Sequence, residues 1–148
     1  MHDRHVNRER YFNEQVFTTQ NFVIPYIQQV KPIASEHVVV EIGCGEGGNL
    51  KPFLDLGCQV IGIDLSKTKI ENARAYLSSH PNAHKLTLIA EDIYNVNPAK
   101  LPSFDVVILR DTIEHIPNQE VFMQKLRDYI SPSGVVFFAF PPWRMPFG

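Results

Sequence analysis

Glu41-Ile42-Gly43-Cys44-Gly45-Glu46-Gly47-Gly48 joins the apolar run His37-Val38-Val39-Val40 to a segment with helical patterning. Four glycines so close together let the chain turn sharply at a strand end and bring bare backbone up to a ligand. Strand, ligand-holding turn and helix in that order form the opening unit of a parallel α/β sheet.

The alternation continues outward. β-branched runs at residues 37–42, 59–64, 85–90, 104–109 and 134–140 predict five strands, most of them near-continuously apolar, as strands covered on both faces should be. Helix ends are marked by residues that satisfy free backbone groups. Asn49 is expected to cap a helix over Leu50 to Leu56 with Gly57 at its exit, and Ser66 one through about Ser79 with Ile70, Ala73 and Leu77 on one face. Asn118 is expected to cap a third, with Phe122, Leu126 and Tyr129 toward the sheet and Ser131-Pro132-Ser133-Gly134 turning into the last strand. Before the first strand, Arg10 to Val30 reads as a helix interrupted at Pro25, packed on the sheet or lying over a site through Phe12, Val16, Phe17, Val23, Tyr26 and Ile27.

The chain is 148 residues, 44% hydrophobic and 20% charged, which suits one domain. Residues 1–34 read as an N-terminal helical segment, 35–140 as the core and 141–148 as a proline-broken tail that looks cut. A net charge of -2 offers no positive field for a phosphate backbone, so no nucleic-acid partner is expected. Arg4, Arg8 and Arg10 are interleaved with Asp3 and Glu9, the pattern of a solvated helix end. Two cysteines make neither a disulfide framework nor a four-ligand zinc site, and no segment has the length and apolarity of a signal peptide or membrane span. A cytoplasmic location is the expectation.

The glycine spacing alone fits two ligands. G-x-G-x-x-G, with Asp64 roughly 20 residues on, also describes a dinucleotide site. Charge separates them: a pyrophosphate here would meet Glu41 and Glu46 before any basic residue, and like charges about 4 Å apart cost about 4 kcal/mol near a protein surface. A ligand with a cationic end is favoured, and S-adenosylmethionine carries a sulfonium and an α-amino group beside an adenosine.

The segment Glu41 to Gly47 resembles the first motif of class I S-adenosylmethionine-dependent methyltransferases, and the later segments are similar to that family in order and spacing. Val60-Ile61-Gly62-Ile63-Asp64-Leu65-Ser66 resembles the second-strand motif, Ala90-Glu91-Asp92-Ile93 the segment after strand three, and Phe104 to Leu109 with Arg110 to Ile116 the fourth-strand motif. The resemblance covers about residues 38–140. It implies a Rossmann-like, doubly wound sheet of five mainly parallel strands in the order 3-2-1-4-5, with helices on both faces, lacking the family's last two strands. It also implies a cofactor site of Glu41, Gly43, Cys44, Gly45, Gly47, Asp64, Leu65, Asp92, Ile93 and Arg110, with Asp64 on the ribose hydroxyls, Asp92 at the adenine amine and the backbone of Ile93 at the ring. The bare residues agree for Asp64, since a carboxylate at a strand end beside the glycine turn can accept two hydroxyl bonds. Cys44 reads as a small buried loop residue, because no histidine is placed by sequence to activate it.

Ligands of open α/β sheets lie beyond the carboxyl ends of the strands, so Arg110 to His115 belongs beside the reactive methyl. His115 and then Asp111 are the candidate bases for an acceptor that must lose a proton. Asp111, Glu114 and His115 stand at i, i+3 and i+4, and this D-x-x-E-H is similar to the acid-x-x-Glu-His of ubiquinone-pathway O-methyltransferases and small-RNA 2′-O-methyltransferases, which use a divalent ion. Helix-start capping and loop packing explain the same residues without an ion, and no metal is the reading adopted. The expectation is methyl transfer from S-adenosylmethionine to a small-molecule acceptor. The alternatives are a non-catalytic module that binds the same cofactor and, less well supported by charge, an NAD-dependent oxidoreductase. Strand five would be left as an open edge through which copies could associate.

Overall fold

The computed structural model describes residues 2–110 and 112–139, with side chains described for residues 7–110, 112, 113 and 115–139. Five strands, β1 (Val38–Ile42), β2 (Gln59–Asp64), β3 (Leu86–Ala90), β4 (Phe104–Arg110) and β5 (Ile130–Ala139), form one sheet in the order β3-β2-β1-β4-β5. Every described pairing is parallel. Strand order reverses between β1 and β4, and the crevice beyond their carboxyl ends is where such sheets hold ligands. The glycine turn leaves β1 at that point.

Successive strand residues face opposite ways, which splits the core into two layers. On one face α1 (His2–Thr18), α2 (Ile24–Gln28), α3 (Lys51–Asp55) and α4 (Lys67–Leu77) bring Phe12, Ile27, Phe53, Ile70 and Leu77 onto Val39, Val60, Val106 and Ile108. On the other, α5 (Gln119–Leu126) brings Phe122 and Leu126, with Tyr129 beyond it, onto Val40, Ile61, Val107 and Leu109. Phe104 stacks on Tyr129 at 5.0 Å, and the Tyr129 hydroxyl donates to the carbonyl of Val96. β1 and most of β4 are buried, whereas the two edge strands are largely half-exposed.

Two end signals work differently from expectation. Ser66 does cap α4, accepting from the Lys69 amide at 3.2 Å, and Gly57 does take the left-handed exit from α3 at φ +84°. Asn49 caps nothing. Its side chain is buried in a polar cluster instead, and α3 begins at Lys51 without a side-chain cap. Asn118 makes no cap bond either; it enters α5 at φ +53°, a left-handed conformation that asparagine tolerates. Ser131 to Gly134 turns into the strand as expected: after a single pairing of Ile130 with Phe104 these residues bulge out unpaired, the register resumes at Val106↔Val135, and a Cβ at Gly134 would stand 2.5 Å from Ile130 Cγ2. An edge strand accommodates that bulge and the missing amide of Pro132.

The N-terminal helix begins at His2, ahead of the expected Arg10, and its irregularity precedes Pro25. Residues Thr19–Val23 form a π-helical turn, and Pro25 sits in the first turn of α2, where its missing amide has no bond to make. The wider turn shifts the phase of the helical faces. Phe12, Val23 and Ile27 are buried as expected, while Phe17 and Tyr26 face outward at 60% and 62% exposure. Tyr26 still meets Phe137 of β5 edge-on at 5.8 Å. Phe140 and residues 141–148 lie outside the described residues.

Candidate functional site

At the carboxyl ends of β1, β2 and β4 two cavities adjoin. The larger, about 500 Å³, is walled by the glycine turn, Glu41, Asn49, Asp64, Lys69 and Arg110, and by Tyr11, Glu14, Gln15 and Thr18 on one face of α1. The smaller, about 140 Å³, lies between Ile42, Ile63, Leu65, Asp92, Ile93, Tyr94, Ile116 and Pro117. Gly43, Asp64, Thr112 and His115 belong to both. One opening is rimmed by charge and the other is mostly apolar.

Each wall residue is fixed by its place in the chain. Asp64 ends β2, and its carboxylate accepts from the Gly45 amide through Oδ2 and from the Ser66 amide through Oδ1, both at 2.8 Å. It ties the glycine turn to the start of α4, and its remaining lone pairs stay available to a ligand. Gly43 has φ +80°, and a Cβ there would stand 2.4 Å from Thr112 Oγ1, so the turn and the post-β4 segment approach as only glycine allows. Asp92 Oδ1 accepts from the Tyr94 amide at 3.0 Å, which opens the one-turn 3-10 segment Ile93–Asn95 and sets Asp92 and Ile93 on the wall of the smaller cavity.

A buried chain of hydrogen bonds runs under the larger cavity. Asn49 Nδ2 donates to Glu41 Oε2 at 2.7 Å, while Asn49 Oδ1 accepts from Arg110 Nη1 at 2.6 Å and from the Thr19 hydroxyl at 2.9 Å. Arg110 Nη1 also lies 3.3 Å from Thr19 Oγ1. A carboxylate on one side and a guanidinium on the other leave Asn49 one possible amide orientation. Glu41, Asn49 and Thr19 are 1%, 3% and 0% exposed.

Most of the expected cofactor residues meet here: Glu41, Gly43, Cys44, Gly45, Asp64 and Arg110 on the larger cavity, and Leu65, Asp92 and Ile93 on the smaller. Gly47 is not on either wall; it packs against Ala73 and Leu77 of α4. Cys44 is buried, and burial, with Glu41 and Asp64 nearby, pushes its thiol far up, which opposes the thiolate form that a nucleophile needs. His115 is exposed, in a one-turn 3-10 segment, with its backbone amide on the Thr112 carbonyl at 2.9 Å. Asp111 and the side chain of Glu114 lie outside the described residues, and among the described residues no three His, Cys, Asp or Glu side chains are grouped to hold a metal.

The N-terminal helix lies over the site, one of the two placements expected for it, but Thr19, Asn49 and the particular α1 residues that line the cavity were not anticipated. Tyr11, Glu14, Gln15 and Thr18 recur at i, i+3, i+4 and i+7, a polar stripe that is visible in the sequence but carries no label.

A family model described as "Methyltransferase domain" matches residues 40–136. The chain is 34% identical over 103 residues to a ubiquinone biosynthesis O-methyltransferase of Rhodopseudomonas palustris, a match covering 68% of this chain and 38% of that protein. It thus spans about two fifths of the length of the curated relatives it matches, 39% for the corresponding enzyme of Mesorhizobium japonicum. Among solved structures, a Pyrococcus horikoshii protein superposes with TM-score 0.67 at 26% identity, over 80% of this chain and 51% of that one. PKMT2 of Rickettsia typhi, in complex with AdoHcy, superposes with TM-score 0.69 at 24% identity, over 81% and 25%.

Proposed function

This chain belongs to the class I S-adenosylmethionine-dependent methyltransferase family, and on that premise we propose that its paired cavities bind S-adenosylmethionine for methyl transfer to a small-molecule acceptor. The observation that carries the reading is Asp64, held by the glycine turn and shared by a charged cavity and an apolar one. A nucleoside with a charged amino-acid end divides its chemistry in the same way. The adenosine suits the apolar side between Ile63, Ile93 and Tyr94, with Asp92 in reach of an exocyclic amine and Asp64 of the ribose hydroxyls. The cationic end suits the side where Glu14, Glu41, Glu46 and Asp64 outnumber Lys69 and Arg110, a surplus that disfavours a pyrophosphate. Open space next to Gly45, where no atom lies within 4 Å of an added Cβ, leaves room for the ligand beside the turn.

When bound, the cofactor supplies a methyl group already activated by positive sulfur. The protein's share is positioning: a fixed turn and fixed acids hold reacting atoms near attack geometry without reorganisation. His115, at the junction of both cavities, is the group proposed to take a proton from an acceptor that must lose one, with Asp111 as second candidate. Acidic lining supports a small-molecule rather than a nucleic-acid acceptor. Among the described residues no helix is long and apolar enough to cross a membrane, and two free buried thiols support the proposed cytoplasmic location. The half-exposed edge of β5 supports the proposed association of copies through that strand.

Calorimetric titration with S-adenosylhomocysteine, with NADH as control, tests the reading. Binding of S-adenosylhomocysteine alone, weakened about tenfold or more by Asp64→Ala, is the expected result. Tighter binding of NADH would overturn it.

A further inference from the structure

We infer that Thr19, the first residue of the π-helical turn Thr19–Val23, is a positioning residue for the amino-acid end of the bound nucleoside: Thr19 and Asn49 together hold the Arg110 guanidinium so that its remaining N–H groups meet the ligand's α-carboxylate. The inference rests on the cofactor reading above and deepens it by assigning one subsite.

Arg110 carries five donors in a planar fork. One nitrogen, Nη1, is engaged by Asn49 Oδ1 at 2.6 Å and Thr19 Oγ1 at 3.3 Å. Among the described residues nothing accepts from Nε or Nη2, and the side chain is on the wall of the larger cavity. No described carboxylate lies within ion-pair distance of it. The negative charge that answers Arg110 is Glu41, one amide away through Asn49. A guanidinium held by neutral oxygens on a cavity wall, with Nε and Nη2 not engaged by any described residue, is suited to a carboxylate ligand, which it can take bidentately.

Thr19 reaches this corner by continuing the buried face of α1, seven residues after Phe12. A π turn inside an α-helix is uncommon and shifts the phase of the residues after it. Thr19, the first residue of that turn, is fully buried on the Asn49 side of the helix, whereas Phe17 and Phe22 on either side are 60% and 64% exposed. The Thr19 hydroxyl donates to Asn49 Oδ1 and accepts from Arg110, which uses both its roles and fixes the angle between the two partners. Without it, Arg110 would keep one anchor and swing about it.

The test compares two nucleosides on the 148-residue chain. S-adenosylhomocysteine has the amino-acid end; 5′-methylthioadenosine lacks it and keeps the adenosine and the sulfur. Thr19→Val removes the hydroxyl at nearly constant volume. The expected result is about tenfold weaker binding of S-adenosylhomocysteine with 5′-methylthioadenosine unchanged, and Thr19→Ser restoring most of the loss. A buried structural role alone would weaken both ligands together, and that outcome overturns the inference, as does unchanged S-adenosylhomocysteine binding in Thr19→Val. If Thr19→Val does not fold, Arg110→Lys asks the same question of the fork, with the same selective loss expected and the same parallel loss overturning it. Binding of neither nucleoside by the unaltered chain overturns the cofactor reading and this subsite with it.

Discussion

Gly43 shows how a single residue sets the site. Its φ of +80° is costly for any residue with a side chain, and a Cβ would meet Thr112 at 2.4 Å. Gly43→Ala is expected to cost about 1–3 kcal/mol by urea unfolding, and the double variant with Thr112→Ala should recover the part due to the clash but not the part due to the backbone. Full recovery would mean that the left-handed conformation costs nothing. Such glycines, and the acids Asp64 and Asp92, are legible in sequence because their constraint is local and their neighbours name the strand end. Asn49 is not. Its position after a glycine turn reads as a helix cap, and only the fold reveals that Glu41 and Arg110 compete for its amide and win. A charge-assisted bond is worth about twice a neutral one, so the cap is the role given up.

The same contrast holds among elements. α4 is specified by its own sequence: Ser66 accepts from Lys69, and Ile70, Ala73 and Leu77 are buried along one face. Ser66→Ala should therefore destabilise the chain by about 1 kcal/mol, measured as a shift in the urea midpoint. Asn118→Gly should fall within about 0.5 kcal/mol of the parent, because the side chain makes no cap bond and the φ of +53° suits glycine at least as well. A large loss there would restore the capping role. The five strands are legible since apolar runs and end signals repeat along the chain, and their order is what the family resemblance implies. The pairing of Ile130 with Phe104 ahead of the Ser131-Pro132-Ser133-Gly134 turn is not legible, because it depends on a contact with β4 that the local sequence does not encode. The π turn also escapes a reading by period, since nothing in Thr19–Val23 breaks the α pattern locally; the interruption suggested by Pro25 belongs a turn earlier, at the position that meets Asn49.

For the molecule as a whole, burial of ionisable groups predicts a response to alkali. The Cys58 thiol is pushed up to about 11 by burial, and the Cys44 thiol and the Tyr129 phenol are also raised chiefly by burial. Below the ordinary thiol value of 9.0 both folded and unfolded chains keep the Cys58 proton, so stability is unaffected. Above it the unfolded chain releases the proton first, and stability falls as pH rises toward the folded value, by up to about 1.4 kcal/mol per pH unit for one thiol. Urea unfolding at about pH 8 and about pH 10 should show that loss, and Cys58→Ala should make it shallower. An unchanged slope in the variant would assign the loss to other groups.

The Thr19, Asn49 and Arg110 contacts also have a meaning in time. Thr19 and Asn49 are 30 residues apart, Asn49 and Arg110 61, and Thr19 and Arg110 91. Chain must be closed into loops of those lengths before any of the three bonds can form, and that entropy is recovered only when β1 and β4 are already side by side. The glycine turn and its Asp64 anchor need only β1 and β2, which are neighbours in sequence as well as in space. Along the folding route the anchored glycine turn is therefore built early, and the buried cluster of Thr19, Asn49 and Arg110 beneath the larger cavity is among the last parts to close.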